Sequence, residues 1–316
     1  MALCNIGRTI VEEAKLCYRA DDNLLDDLAT ITEYRKEDGF ILFRTPNTFY
    51  KHCFTIHWGA YGNHSEPIAK MYFSHIGNVY ESDDPIQGNY IFFRLENHIL
   101  YTCKSEVKRV LEIPMLYGLV FHHFTRLDLA KDFKFNAVNI INRLMKRTDI
   151  RTIINRHWED DHKKKPECLK EFRSRTLDKS IHPELVIMQK NAIENKNNGI
   201  IIAAYNKLEE IREKSTQTAY KPHILDYYGN PKKSLHRLEV RINAANITEY
   251  CREKQILMIE DILFDGAILT DMYYECLSRV LRYSHVQTSK AGNRTLRKQI
   301  HWKDILGTLA NFRGIM

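Results

Sequence analysis

No stretch of this 316-residue chain stays apolar for long. A membrane-spanning helix needs about 20 consecutive apolar residues. The longest apolar runs, such as MLYGLVF at 115–121, have the length of a buried strand. Paired cysteines are missing too. The seven cysteines (Cys4, Cys17, Cys53, Cys103, Cys168, Cys251, Cys276) are odd in number and scattered, with no Cys-x-x-Cys and no Cys/His cluster. Neither a disulfide framework nor a zinc site is therefore expected. A glycine-rich phosphate loop of the nucleotide-binding kind is absent, so ATP use is not expected. Short-period repeats and low-complexity tracts are absent as well. The first residues, MALCNIGRTIVEEAK, meet acids at once and lack a basic start followed by an apolar block, so they do not read as a secretory signal. The expectation is a reduced, cytoplasmic, folded protein with no membrane association.

Hydrophobic residues make up 44% of the chain and charged residues 28%, ordinary values for a folded domain. The balance of charge is less ordinary. A formal net charge of +7 points towards a polyanionic partner. Residues 1–40 are acidic, whereas 285–316 carry Lys290, Arg294, Arg297, Lys298, Lys303 and Arg313 against Asp304 alone. The block KKK at 163–165 and the turn NPKK, with Lys232 and Lys233, add positive points. Cations interleaved with Tyr and Trp suit a nucleic-acid groove, charge for phosphate and rings for bases. An ordinary solvated face explains the charge alone equally well.

Apolar spacing divides the chain coarsely. Residues 8–36 read as helical, with Ile10, Ala14, Leu24, Leu25 and Leu28 three or four apart within their groups. From 40 to 103 come FILF, HCFTIHW, AKMYFS, NYIFFRL and HILYTC, short aromatic and β-branched runs that read as antiparallel strands and hairpins. KSEVKRVLEI (104–113) reads as a helix stopping before Pro114, and NAVNIINRLMKRT (136–148) as another. Residues 150–197 are polar and are expected to be helix and loop with a basic turn. GIIIAAYNKLEEI (199–211) reads as a strand running into a helix or turn, and LHRLEVRIN (235–243) as an alternating strand. The remainder, through TDMYYECLSRVLRY, reads as helical. A strand–helix–strand pattern occurs twice, over 40–133 and 118–243. The expected class is α+β, an antiparallel sheet with helices packed on one side and a helical C-terminal part. The expected divisions are an N-terminal helical segment (1–39), a main domain (40–245) and a helical, basic C-terminal region (246–316).

Side chains alternate along a strand, so parity decides which residues share a face. In FHHFTRLDLAKDF (121–133), Leu127, Leu129 and Phe133 take the buried side. His122, Arg126, Asp128 and Asp132 take the other. In LHRLEVRIN the polar face holds Arg237, Glu239 and Arg241, and in GIIIAAYNK Tyr205 and Lys207 share a side. Any one of these faces is compatible with a wet sheet surface. Together they supply carboxylates, cations and a phenol. Hard carboxylate oxygens suit Mg2+ or Mn2+, which polarise a phosphoryl oxygen. A tyrosine phenol, with a pKa of about 10, is a poor nucleophile at neutral pH unless its phenolate is stabilised. Lys207 is placed to help. His122 and His123, being adjacent, are expected on opposite faces; His122 reads either as a ligand or phosphate contact, or as a hydrogen-bonded structural residue. Trp58 and Tyr61, flanking Gly59, are candidates for stacking on bases.

RLDLAKD, AAYNKLEE and RLEVRI, in that order across 118–245, resemble the replication-initiation-factor (Rep_trans) family of rolling-circle plasmid and phage initiators and related mobile-element relaxases. Members show an R-[IL]-D-x-A-x-D strand, a Y-[ND]-K-x-x-E segment and an R-x-E strand. The resemblance implies that 40–245 is a DNA-nicking domain. Asp128, Glu239 and Asp132 would then hold Mg2+ or Mn2+, and Tyr205, with Lys207 beside it, would be the nucleophile. Arg126, Arg237 and Arg241 would contact phosphate or brace the carboxylates, and Lys232, Lys233, Arg294, Arg297 and Lys298 would contact DNA. The products are a 5′-phosphotyrosine and a free 3′-hydroxyl that primes rolling-circle replication, or a strand transferred by a relaxase. The implied partners are origin DNA with a hairpin or inverted repeat, a second copy of the chain and a host helicase. A non-cleaving DNA-binding regulator of replication or transcription is the alternative. The chain has no His–hydrophobic–His pair, through which the commoner rolling-circle nicking enzymes bind metal.

Overall fold

The computed structural model describes residues 6–59, 66–75, 89–154, 170–177, 180–188, 199–213, 222–231, 234–285 and 299–311. Along the chain run β1 (Thr9–Arg19), α1 (Asp22–Ala29), β2 (Tyr34–Lys36), β3 (Phe40–Arg44), β4 (Tyr50–Trp58), β5 (Ala69–His75) and β6 (Tyr90–Leu95). There follow α2 (Asn97–Leu100), α3 (Lys104–Leu116), β7 (Val120–Phe133), α4 (Ala137–Lys146), β8 (Ile150–Ile154), β9 (Lys170–Leu177) and β10 (Ser180–Met188). Then come β11 (Ile200–Asn206), α5 (Lys207–Glu213), α6 (Pro222–Tyr227), β12 (His236–Asn243), α7 (Ala244–Lys254) and α8 (Ile259–Phe264). The last elements are α9 (Gly266–Val280), β13 (Leu281–His285), β14 (Gln299–Ile300) and α10 (Trp302–Asn311). The class is α+β, built on antiparallel strands. No helix among the described residues is long and apolar enough to cross a membrane. Two compact units are distinguished, 11–127 and 1–10 with 128–316; β7 passes from the first into the second.

In the unit 11–127 the strands lie in the order β2-β3-β4-β5-β6-β1-β7. Leu16, Phe93, Met71 and Phe54 are successive register partners and all are buried, a row of core across four strands. The segment 9–19, expected as helix, is strand β1. Its run TIVEEAKLCYR buries residues of both parities, so the pattern iBBBiBiBBBe carries no clean alternation, and chance spacing of Ile10 and Ala14 imitates a helix. β-branched Thr9, Ile10 and Val11 favour the strand locally. HILYTC, expected as a strand, instead forms the short helix α2 and a turn. The helix α3 does not stop before Pro114 but carries it in its last turn. There the missing N–H disturbs only the final residues. What ends α3 is Gly118, at φ +69, with Gly118 N–H donating to the Met115 carbonyl (2.9 Å) and Leu119 N–H to that of Pro114 (3.1 Å). These two bonds are a Schellman termination, for which glycine's access to left-handed φ is required.

In the other unit the strands order as β7-β12-β11-β10-β9, and a second, three-stranded sheet orders as β14-β13-β8. Segment 150–197, expected as helix and loop, contributes strands β8, β9 and β10. The polar character of 170–177 and 180–184 hid β9 and β10, although β10 pairs on both sides and ends in the short buried stretch Leu185–Met188. The end of the last predicted helix is likewise a strand, β13, in which Leu281 and Tyr283 are buried and Tyr283 pairs with Thr152. Helix α9 starts at Asp265, whose carboxylate accepts from Ala267 N–H (2.7 Å) and Ile268 N–H (3.2 Å). It packs against β11 and β12. The buried Tyr273 hydroxyl donates to the Leu238 carbonyl (3.1 Å), tying α9 to β12.

Residues 127–133 of β7 are buried on both faces. Lys131 is therefore inside, its ammonium donating to the Gly7 carbonyl (2.9 Å) and lying 4.9 Å from the Tyr274 ring centroid. Burial first, and Lys303 second, lower its pKa from 10.5 to about 8. An unfolded chain keeps this lysine protonated to higher pH, so the folded state binds one proton fewer between about pH 8 and 10.5. Stability tied to the group is reduced below that window and rises across it. Lys131→Met is accordingly expected to exceed the parent in stability at pH 7, by on the order of 2 kcal/mol, with the gap closing as the pH approaches 10. Urea unfolding at both pH values checks this; a gap that does not change with pH contradicts it.

Candidate active site

The site begins with one register. Strands β11 and β12 pair so that Tyr205 faces Arg237, Ala203 faces Glu239 and Ile201 faces Arg241. These six residues share one face of the sheet, and β7 lies on the other side of β12. Tyr205 and Glu239 are diagonal neighbours, a separation that long side chains bridge. Ala203, opposite Glu239, adds no bulk between them. The Tyr205 hydroxyl donates to Glu239 Oε2 at 2.8 Å. Arg241 Nε donates to Glu239 Oε1 at 2.6 Å and stands 3.9 Å from Asp128 Oδ2. Both oxygens of Glu239 are thus engaged, and Asp128 joins through the same guanidinium.

Exposure gives the site a direction. Asp128 and Glu239 are 2% and 3% exposed, whereas Tyr205 and Arg241 are half-buried and form the wetter edge. Burial works against the Arg241 charge, but Glu239, Asp128 and Tyr205 outweigh it and hold its pKa above the ordinary value. Lys207 is the first residue of α5 rather than part of the strand. It is buried, with its ammonium 2.7 Å from Glu210 Oε2 and 5.7 Å from the Tyr205 ring centroid.

Asp132 and Arg237 lie on the same face but are closed on each other. Arg237 Nε and Nη2 donate to Asp132 Oδ1 and Oδ2 at 2.7 and 2.5 Å, with both side chains fully out of solvent. The planar guanidinium matches the carboxylate along two parallel bonds. Tyr228 is buried and interacts with both; burial first, and Asp132 second, push its phenol pKa far up. Asp132, expected as a third metal ligand, and Arg237, expected to contact phosphate or brace the carboxylates, are thus paired with one another, the bracing arrangement. Sequence parity placed them on the right face and gave no sign of their depth, because it does not record what covers a face.

The other expected residues disperse. Arg126 belongs to the unit 11–127, where its Nη2 is 3.2 Å from Glu13 Oε2. Glu13 also holds Arg94 (2.9 Å) and Lys15 (3.4 Å). Burial would raise the Glu13 pKa, and the three cations together bring it below the usual range. Lys15, Arg94 and Lys70 are successive register partners across β1, β6 and β5, a basic row that reading 9–19 as a helix concealed. In the next row on this face, Phe92 and Tyr72 stack at 5.7 Å. Trp58, a candidate for base stacking, is covered by the Arg109 guanidinium at 4.2 Å from its centroid. Tyr61, Lys232, Lys233, Arg294, Arg297 and Lys298 lie outside the described residues.

His122 and His123 do not point apart as strand parity predicted. Their Nδ1 atoms are 2.6 Å from each other, and Cys17 completes a group whose ligand atoms all lie within 4.8 Å. Alternation fixes the Cα–Cβ directions but leaves the ring torsions free, and β1 supplies the cysteine from far away in sequence. The expectation of no Cys/His cluster is corrected on this point.

No family model matches the chain, and no curated protein matches it. Among solved structures it is similar to a rolling circle replication initiator protein from Geobacillus stearothermophilus, with a TM-score of 0.45 and 13% identity over 96% of each chain. A likeness of that degree decides nothing about function, which rests on the residues described above.

The sealed Asp132–Arg237 pair has a measurable consequence. Arg237→Ala leaves a carboxylate buried without its partner and is expected to lower stability by about 3–5 kcal/mol. Urea titration measures this directly; a loss below about 1 kcal/mol, the range of solvent-exposed pairs, contradicts the burial described.

Proposed function

We propose that the chain is a DNA-nicking replication initiator that opens origin DNA for rolling-circle replication by tyrosine transesterification. The observation that carries this reading is the 2.8 Å hydrogen bond from the Tyr205 hydroxyl to Glu239, beside Asp128 and under the Arg241 guanidinium. A phenol attacks only as its proton leaves. Glu239 is within hydrogen-bond reach of that proton, the geometric requirement for a general base. The Tyr205 oxygen forms a bond to phosphorus as the bond from phosphorus to the 3′ oxygen breaks. The phenol proton passes to Glu239, and the leaving 3′ oxygen takes a proton from solvent. One phosphodiester replaces another, so no ATP is consumed.

Asp128 and Glu239 are also hard oxygen donors, the type that a Mg2+-class cation takes. Asp128 and Glu239 would hold Mg2+ or Mn2+, whose chemistry is to draw charge from a phosphoryl oxygen. Arg241, at the exposed edge, is placed to receive the phosphate, and Lys207 to favour the phenolate by opposite charge. The basic row of Lys15, Arg94 and Lys70, with Arg126, suits the DNA backbone, and the half-buried Phe92 and Tyr72 suit its bases. The DNA is an origin with a hairpin or inverted repeat. A second copy of the chain and a host helicase are the further partners. A mobile-element relaxase would use the same step and transfer the linked strand.

Supercoiled DNA carrying the gene for this chain and its flanks, with Mg2+, provides the test. The parent is expected to nick it. Tyr205→Phe should bind the DNA yet lose nicking by at least about a thousandfold, and Glu239→Gln should lose on the order of a hundredfold, the lower end for general-base catalysis. Nicking by Tyr205→Phe at the parental rate removes Tyr205 as nucleophile. Tight binding by the parent without any nicking favours the non-cleaving regulator.

A further inference from the structure

A second cluster in the molecule has chemistry that the nicking reaction does not use. Cys17 on β1 and His122 and His123 on β7 come from neighbouring strands of the unit 11–127. Their ligand atoms lie within 4.8 Å of one another. The thiol is buried, His123 is half-buried and His122 is exposed, so the group forms a short path from core to solvent. Phe92, the register partner of Cys17, and Tyr72, the partner of Phe92, share its face. Tyr50 lies 4.5 Å from the Tyr72 ring and 5.9 Å from that of Phe92, completing an aromatic wall on that side. The His122 ring meets Tyr90 at 5.1 Å.

One thiolate and two imidazoles are a donor set for zinc-class ions and a poor one for Mg2+ or Ca2+, which prefer oxygen. Two nitrogens bound to one tetrahedral ion at roughly 2.0–2.1 Å each stand about 3.3 Å apart. The Nδ1 atoms of His122 and His123 are at 2.6 Å. A turn of the exposed His122 ring, under about 1 Å at its nitrogen, brings them to that spacing. We propose that Cys17, His122 and His123 form a binding site for a divalent transition-metal ion of the zinc class, with a fourth position open on the solvent side. It is separate in donors and in chemistry from the carboxylates of Asp128 and Glu239, and it fastens the first part of β7 to β1.

Co2+ titration of the full chain, reduced and stripped with a chelator, tests this. The expected result is one equivalent bound per chain, with a thiolate-to-cobalt charge-transfer band that Zn2+ removes and a large excess of Mg2+ leaves in place. Cys17→Ser should abolish the band. His122→Ala, at an exposed position where folding is not at stake, should weaken binding at least about tenfold. Cys103→Ser, which alters an exposed thiol outside the cluster, should change nothing. The site is overturned by the absence of a band in the parent, by a band that survives Cys17→Ser, by loss of the band in Cys103→Ser, or by parental affinity in His122→Ala.

Discussion

The pairing of β11 with β12 fixes where Tyr205, Glu239 and Arg241 of the candidate active site stand. With Tyr205 opposite Arg237 and Ala203 opposite Glu239, the phenol and the carboxylate fall on one face at a diagonal spacing. A slip of one residue would turn Tyr205 to the opposite face. The register is protected by its surroundings: Ile200, Ile202 and Ala204 on β11 and Leu238, Val240 and Ile242 on β12 are all buried on the second face. Helix α9, held at its start by Asp265 and to β12 by the Tyr273 hydroxyl, adds a covering that a slipped strand would lose.

On that framework the polar face is graded in depth. Its inner end is the Asp132–Arg237 pair, closed to water. Further out, Glu239 divides its oxygens between the Tyr205 phenol and Arg241, with Asp128 alongside. The inner pair is structural in effect, since its charges are already matched. The outer group is different, because Arg241 is 38% exposed and Tyr205 is half-buried, so this edge meets solvent. The depth of Asp128 and Glu239 reduces the screening of their charges, which strengthens any interaction with a cation or a leaving proton.

Much of this arrangement was legible in the sequence. Strands with clean alternation, RLEVRIN above all, disclosed which residues share a face, and the run from IIIAAYN into KLEEI announced a strand feeding a helix. Failures followed physical causes. Segment 9–19 buries both parities, so its strand carried no period of two. Segments 170–177 and 180–184 are too polar to look like sheet, although they pair with one another. Pro114 looked like a stop, yet the αL glycine at 118 and its two carbonyl bonds end the helix. The burial of Arg237 and the meeting of Cys17 with His122 and His123 depend on elements remote in the chain, and no local pattern encodes such contacts.

The central claim is that the Tyr205 oxygen becomes joined to DNA. Its most direct test is to react the protein with an intact single strand that spans the nick site and Mg2+, digest the product and locate the attached nucleotide by mass spectrometry. The account predicts a phosphodiester on the peptide bearing Tyr205. Attachment to a different tyrosine, or strand cleavage that leaves no protein-linked nucleotide, would contradict it.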